Sequence, residues 1–104
     1  MPRLVLLDAA KRDLSDILEF ISRSSESLAA GEKFVRGLDQ KIETLASLTP
    51  VMGRSRPDLL PNLRSFPFKN HIFFFRYVDD TFELVNVLRG SRDIEAFFEE
   101  KAGG

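Results

Sequence analysis

The chain contains no cysteine, so a disulfide framework and thiolate chemistry are both closed to it, an absence that suits a reducing compartment. Its single histidine is His71. A metal site would therefore have to be built almost wholly from carboxylates, and no spaced carboxylate cluster occurs. No glycine-rich phosphate loop, nucleophile elbow or dinucleotide fingerprint is present, so no cofactor, metal or catalytic set is expected. No apolar run approaches the roughly 20 residues needed to span a bilayer. Leu4 to Leu7, cut off by Asp8, is too short for a signal-peptide core. A cytoplasmic protein with no membrane partner is the expectation. A strong charge of one sign is also missing, since the net charge is −1.

What is there fits one globular domain spanning residues 1–104. Hydrophobic residues make up 43% and charged residues 30% of 104 positions, enough apolar material for a core and too much for disorder. The distribution of charge says more than its sum. Between Gly53 and Val78 stand Arg54, Arg56, Arg64, Lys69 and Arg76 against one acid, Asp58. Such a stretch is either a solvated face or an attraction for an acidic partner.

The patterning changes period twice. Arg3 to Asp8 reads as a short first strand. Leu14, Ile17, Leu18 and Ile21 then recur at helical spacing, with Asp8, or Asp13 for a later start, as the cap. The cluster Ser22 to Ser27 interrupts this helix, because its side chains compete for backbone hydrogen bonds. A second helix covers Leu28 to Leu48 on the stripe Phe34, Val35, Leu38, Ile42, Leu45 and Leu48, with Ser27 as N-cap and Pro50 as stop. Gly31 and Gly37 inside it are candidates for close approach to the first helix. Pro50, Gly53, Pro57 and Pro61 make 49–62 an ordered loop.

Three strands follow, Leu63 to Phe68, His71 to Val78 and Phe82 to Leu88. Their connections, Lys69-Asn70 and Asp79-Asp80, are so short that they require antiparallel hairpins. Asp93 to Glu100 reads as a terminal helix capped by Ser91, with Ala102-Gly103-Gly104 as a frayed end. The fold class is therefore α+β, in the order β-α-α-β-β-β: a helical hairpin on one face of a small antiparallel sheet, plus a short C-terminal helix.

That sheet is apolar on both faces. Phe73, Phe75 and Tyr77 alternate with Ile72, Phe74 and Val78, and Phe82, Leu84 and Leu88 alternate with Val85 and Val87. One helical hairpin covers one face only, and a half-exposed sheet normally alternates apolar with polar. The second face needs the terminal helix with Phe97 and Phe98, the proline-rich loop, or another chain. As for chemistry, Arg64, Arg76, Arg89 and Arg92 lie on or beside the sheet, a set able to bind phosphate, to stabilise a transition state or to pair with a partner's acids. His71, alone at a hairpin, is either a turn residue or a general base.

The order of local segments is similar to that of the RelE/ParE toxin superfamily over nearly the whole chain. The segments are Ala10-Lys11-Arg12-Asp13-Leu14, Met52-Gly53-Arg54, Leu63-Arg64-Ser65-Phe66-Pro67, Phe74-Phe75-Arg76-Tyr77 and Val87-Leu88-Arg89-Gly90-Ser91-Arg92-Asp93. The last three look like the ParE branch. The resemblance implies a type II toxin–antitoxin toxin that inhibits DNA gyrase by binding. It also implies a ParD-like antitoxin that neutralises the toxin and alone binds promoter DNA. RelE-like relatives instead cut messenger RNA on the ribosome, the alternative activity; a non-toxic interaction module of the same fold is a third. Against cutting, Ile72 and Phe98 stand where those enzymes carry an arginine and a tyrosine, although Arg92 matches a functional arginine. Under the resemblance, Arg54, Arg64, Phe74, Arg76 and Arg89 are the antitoxin-binding candidates. Arg92, Phe97 and Phe98 are the candidates for contact with the target.

Overall fold

A computed structural model describes residues 3–48 and 51–103. Its elements are β1 (Arg3–Leu6), α1 (Asp8–Ser25), α2 (Leu28–Ser47), β2 (Arg54–Ser55), β3 (Arg64–Phe68), β4 (His71–Val78), β5 (Thr81–Arg89) and α3 (Ile94–Gly103). The α+β class and the order of elements agree with the sequence reading, except that the two-residue β2 lies inside the stretch 49–62 read as a loop. The stop assigned to Pro50 and the frayed end at Gly104 lie outside the described residues. Ala102 and Gly103 belong to α3 instead of fraying.

The helical hairpin forms as its spacing requires. α1 begins at Asp8, which sits in its first turn, favourable for an acid at the positive end of the helix dipole. Neither Asp8 nor Asp13 caps it, because the cap residue is Leu7 and makes no side-chain bond. The serine cluster does not interrupt the helix: α1 runs through Ser22 to Ser25 and ends on Glu26 in the left-handed region, φ 54°. Ser27 caps α2 by accepting the Ala30 N–H at 3.1 Å. Gly31 is the close approach between the helices, since a Cβ there would meet Ser22 Oγ and the Leu18 carbonyl. Gly37 faces the Lys69 amine instead.

The strands make one sheet in the order β1-β5-β4-β3-β2. β3, β4 and β5 form an antiparallel meander through two-residue turns. Lys69 and Asn70 both take positive φ, 50° and 63°, and Asp79 takes 54°, the backbone twist that such tight hairpins need. The sheet is mixed, however, and not antiparallel throughout: β1 pairs parallel with β5, Arg3 opposite Thr81 to Leu6 opposite Leu84. A parallel neighbour demands a long crossover, and the α1–α2 hairpin and the meander supply it. β2 pairs with Arg64 and Ser65 alone, leaving β3 outermost at Pro67, where a missing N–H disrupts no ladder.

Nine residues of β5 face eight of β4, and the register shifts between Phe74/Asn86 and Phe75/Leu84. The extra residue, Val85, is a β-bulge, which exchanges the faces of everything after it. Phe82, Leu84 and Val87 therefore share the helix face with Phe73 and Phe75, while Val85 and Leu88 join Phe74 on the other. Strict alternation had put Leu88 with Phe82 and Val87 with Val85; the bulge corrects both.

Two cores result. Ala10, Leu14, Leu38, Ile42, Leu45 and Ala46 of the hairpin pack on the first face. On the second, Leu59 and Leu63 from the loop and Phe98 from α3 cover Phe74, Val85 and Leu88. The cover that the two-sided sheet required comes from this chain itself.

Candidate functional site

The bulge places Asn86, a polar side chain only 1% exposed, in the middle of an apolar strand. β1 ends opposite Leu84, so beyond it β5 has no strand neighbour on that side. α1 fills the gap. The Asp13 carboxylate accepts the Asn86 Nδ2–H at 2.8 Å and the Val87 backbone N–H at 2.9 Å, both on one oxygen. Lys101, from α3, donates to Asn86 Oδ1 at 2.8 Å. One buried amide thereby ties the hairpin, the strand edge and the terminal helix together. Burial pushes the Asp13 carboxyl above its usual range, against the opposing pull of its bonds to Asn86 and Val87. Burial likewise pushes the Lys101 amine down, although Asp13 nearby works the other way.

Beside this tie a groove of about 500 Å³ opens between α1 and the end of β5. Ile17, Ile21, Val87 and Leu88 supply apolar lining, and Phe20 with Arg89, Ser91 and Arg92 supply much of the rest. Phe20 is 49% exposed, yet the Arg89 guanidinium lies 3.9 Å from its ring centroid, within cation–π range. Arg92 sits 4.7 Å over Phe97. Asp13 and Asp16 also line the groove, so it carries both signs of charge. His71 lines it too, but the residue is 8% exposed and its ring is tilted against Phe34 at 5.5 Å. Its Nδ1 lies 3.0 Å from the Lys69 carbonyl; a carbonyl only accepts, so Nδ1 carries the proton there. His71 is a turn-bracing residue whose other nitrogen is left as an acceptor in the neutral ring.

The candidates named from sequence divide sharply. Arg64 donates to the carbonyls of Met52 and Gly53 at 2.8 and 2.7 Å. It holds the loop where Gly53, at φ 78°, passes so close to Ser65 and Phe75 that a Cβ would collide. Arg76 pairs with Glu83 across the strands at 2.7 Å, and Arg56 makes a two-pronged pair with Asp58. Lys69 lies 5.4 Å over Phe68. The stretch from Gly53 to Val78 is therefore mostly engaged within the chain instead of forming a free basic face. Arg54 is exposed on β2 with no carboxylate partner among the described residues. Phe74 is wholly buried, with the Phe98 ring 4.9 Å away, and Phe98 itself is 1% exposed. Neither forms part of the chain's surface, whereas Phe97 is half-buried beneath Arg92. Of the candidate set, Arg89 and Arg92 are the two that line the groove.

Sequence reasoning missed Phe20, Asn86 and Lys101, and gave Asp13 only as a possible helix cap and as part of the segment Ala10 to Leu14. Asn86 was the available signal, as the one polar residue inside the run Leu84-Val85-Asn86-Val87-Leu88. Among the described residues no group of three or more His, Asp or Glu could hold a metal ion. No described helix is long and apolar enough to cross a membrane.

Comparison with known proteins agrees with the fold. A chain solved as part of the chromosomal ParDE toxin–antitoxin system from P. aeruginosa superposes with a TM-score of 0.73 at 19% identity. The match covers 86% of this chain and 96% of that one. No curated protein matches at a significant level. The family model for the ParE toxin of type II toxin–antitoxin systems matches residues 4–94, a span that takes in both helices of the hairpin, all of the sheet but Arg3, and the groove. The chain belongs to the ParE toxin family of type II toxin–antitoxin systems.

Proposed function

We propose that this toxin is a single cytoplasmic domain that inhibits DNA gyrase by binding, is held inactive by a ParD-like antitoxin, and meets promoter DNA only through that antitoxin. The observation that carries this reading is the family match through residues 4–94. The chemistry of the sheet supports binding over cutting. Arg64 and Arg76 are engaged by carbonyls and by Glu83. The Tyr77 hydroxyl accepts the Met52 N–H, and the Asp13 carboxylate serves Asn86 and Val87. A general acid or base needs a free proton-transfer position facing substrate, and each of these groups is already engaged, at least in part, within the chain. The purified toxin is expected to inhibit supercoiling or to accumulate cleaved DNA in a gyrase assay, and the antitoxin to reverse it. Undiminished gyrase activity at excess toxin that still arrests growth would refute the target.

A second reading, ribosome-dependent cleavage of messenger RNA, has one observation in its favour: His71, Arg89 and Arg92 line the same groove. It predicts cut transcripts in arrested cells and loss of cutting in Arg92→Ala. Intact transcripts during arrest exclude it.

A further inference from the structure

We infer that the groove between α1 and the end of β5 is the antitoxin's docking site, and that it takes a segment with an apolar side chain between an acidic and a basic residue. This rests on the toxin–antitoxin reading above, which does not say where the antitoxin binds. Phe20 is a large exposed hydrophobic residue lining a groove. Singly exposed apolar residues need no explanation, but an aromatic beside an apolar floor fits the anchor pocket of an interface. Arg89 already stacks on it, so little side-chain freedom remains to be lost on binding.

The charges say what the occupant carries. Arg23, Arg56 and Arg76 each have a carboxylate partner, while Arg89 and Arg92 have none among the described residues. Each is held by an aromatic face and is open to an incoming carboxylate. Asp16, on the α1 wall, is exposed and has no cation partner among the described residues. Two acids opposite two arginines disfavour a polyanion, since nucleic-acid binding depends on uncompensated Lys and Arg. A peptide of mixed charge matches both walls, and about 500 Å³ falls within the roughly 300–1,000 Å³ of ordinary binding clefts.

The test uses the intact toxin and its cognate ParD-like antitoxin, with affinity and growth arrest measured separately. Arg89→Glu and Phe20→Asp are expected to weaken antitoxin binding by about 30-fold or more, the loss typical of an interface anchor, and Asp16→Lys by about 10-fold. Leu28→Asp removes a more exposed apolar residue outside the groove and is expected to bind as the parent does. A Glu→Lys or Asp→Lys change in the antitoxin that restores binding to Arg89→Glu confirms the pairing. Because Phe20, Arg89 and Asp16 are exposed, an unchanged circular-dichroism melt is expected for all three, and a folded Phe20→Ala serves if one fails. Parental antitoxin affinity in the folded groove variants overturns the inference; if they also lose toxicity, the groove belongs to the target. A parent toxin that binds no antitoxin overturns both this inference and the reading beneath it, so the two failures are distinguishable.

Discussion

The two faces of the sheet are equally apolar at their centres and are covered by unlike means. On one, α1 and α2 lay down 18 and 20 residues of helix, and the rings of Phe73, Phe75 and Phe82 are sealed beneath them. On the other, a ten-residue terminal helix and a proline-rich loop close over Phe74, Val85 and Leu88. Beyond that patch the second face turns polar, through Arg76, Glu83, Asn86 and Lys101. The hairpin is joined to the sheet by two crossings of the chain and a broad interface. α3 is held by the rings of Phe97 and Phe98, by Ile94 and by one lysine. Cooperative units of lower stability are those with fewer buried apolar contacts, so the second cover is the one that opens first.

The largest effect that sharpens this contrast comes from paired truncations. Phe75 stacks on Phe82 at 4.6 Å and meets Tyr77 edge-on at 5.9 Å, and Phe75→Ala is expected to cost about 3–5 kcal/mol. Its loss should lower the denaturant midpoint for every element together. Phe98→Ala is expected nearer about 3 kcal/mol, because a terminal helix can relax around the gap. In hydrogen exchange, amides of α3 and of the loop 56–63 should lose protection while those of α1 and α2 keep it. Equal loss of protection across all elements in both variants would erase the distinction between the faces.

The tie that crosses from one face to the other is the next test. Asp13→Ala leaves the Val87 N–H and Asn86 Nδ2 without their acceptor and should cost about 1–3 kcal/mol. Asp13→Asn keeps an oxygen for both donors and removes the buried charge. The sign of the pH effect follows from burial raising the Asp13 carboxyl. The folded state then holds that proton more tightly than the unfolded chain does. This contribution is full below the ordinary aspartate range and is lost as pH rises through the raised folded value. Asp13→Asn should therefore abolish that decline and match or exceed the parent's stability at neutral pH. A variant markedly less stable than the parent at pH 7 would mean that the charge itself, through Lys101, holds the tie.

What the sequence disclosed and what it withheld divide along the same line. Local signals were sufficient where structure is made locally. The stripes of α1 and α2, the Ser27 cap and the turns at Lys69-Asn70 and Asp79-Asp80 all depend on residues a few positions apart. β2 is two residues long and exists only because Arg54 and Ser55 meet Ser65 and Arg64. The cap of α3 went to Asp93, whose Oδ1 accepts the Ala96 N–H at 3.1 Å, and not to Ser91. The bulge at Val85 was invisible to a strict period of two, and one residue of slip reassigns two side chains to opposite faces. The arginines misled for a related reason. Arg64 is engaged by backbone carbonyls, which every residue possesses and no sequence pattern marks. Arg89 found Phe20, some seventy positions away, across the groove that became the candidate site.

The smallest effect tests the polar part of the second face. Arg76 and Glu83 are 38% and 21% exposed and sit opposite each other on β4 and β5. A cross-strand ion pair open to water gains little, because solvent screens it and ordering two long side chains costs entropy. A double-mutant cycle through Arg76→Ala and Glu83→Ala should return a coupling of about 1 kcal/mol or less, weakening with salt. Arg64→Ala is the control from the helix face, where two loop carbonyls lose their donor. Its expected cost, about 1–3 kcal/mol, should be nearly insensitive to salt, because the guanidinium is half-buried and its partners carry no formal charge. A large, salt-resistant coupling at Arg76–Glu83 would show that α3 and Lys101 shield this part of the face far more than its exposure implies. The second core would then extend over the whole sheet, and the asymmetry between the faces would be one of area alone.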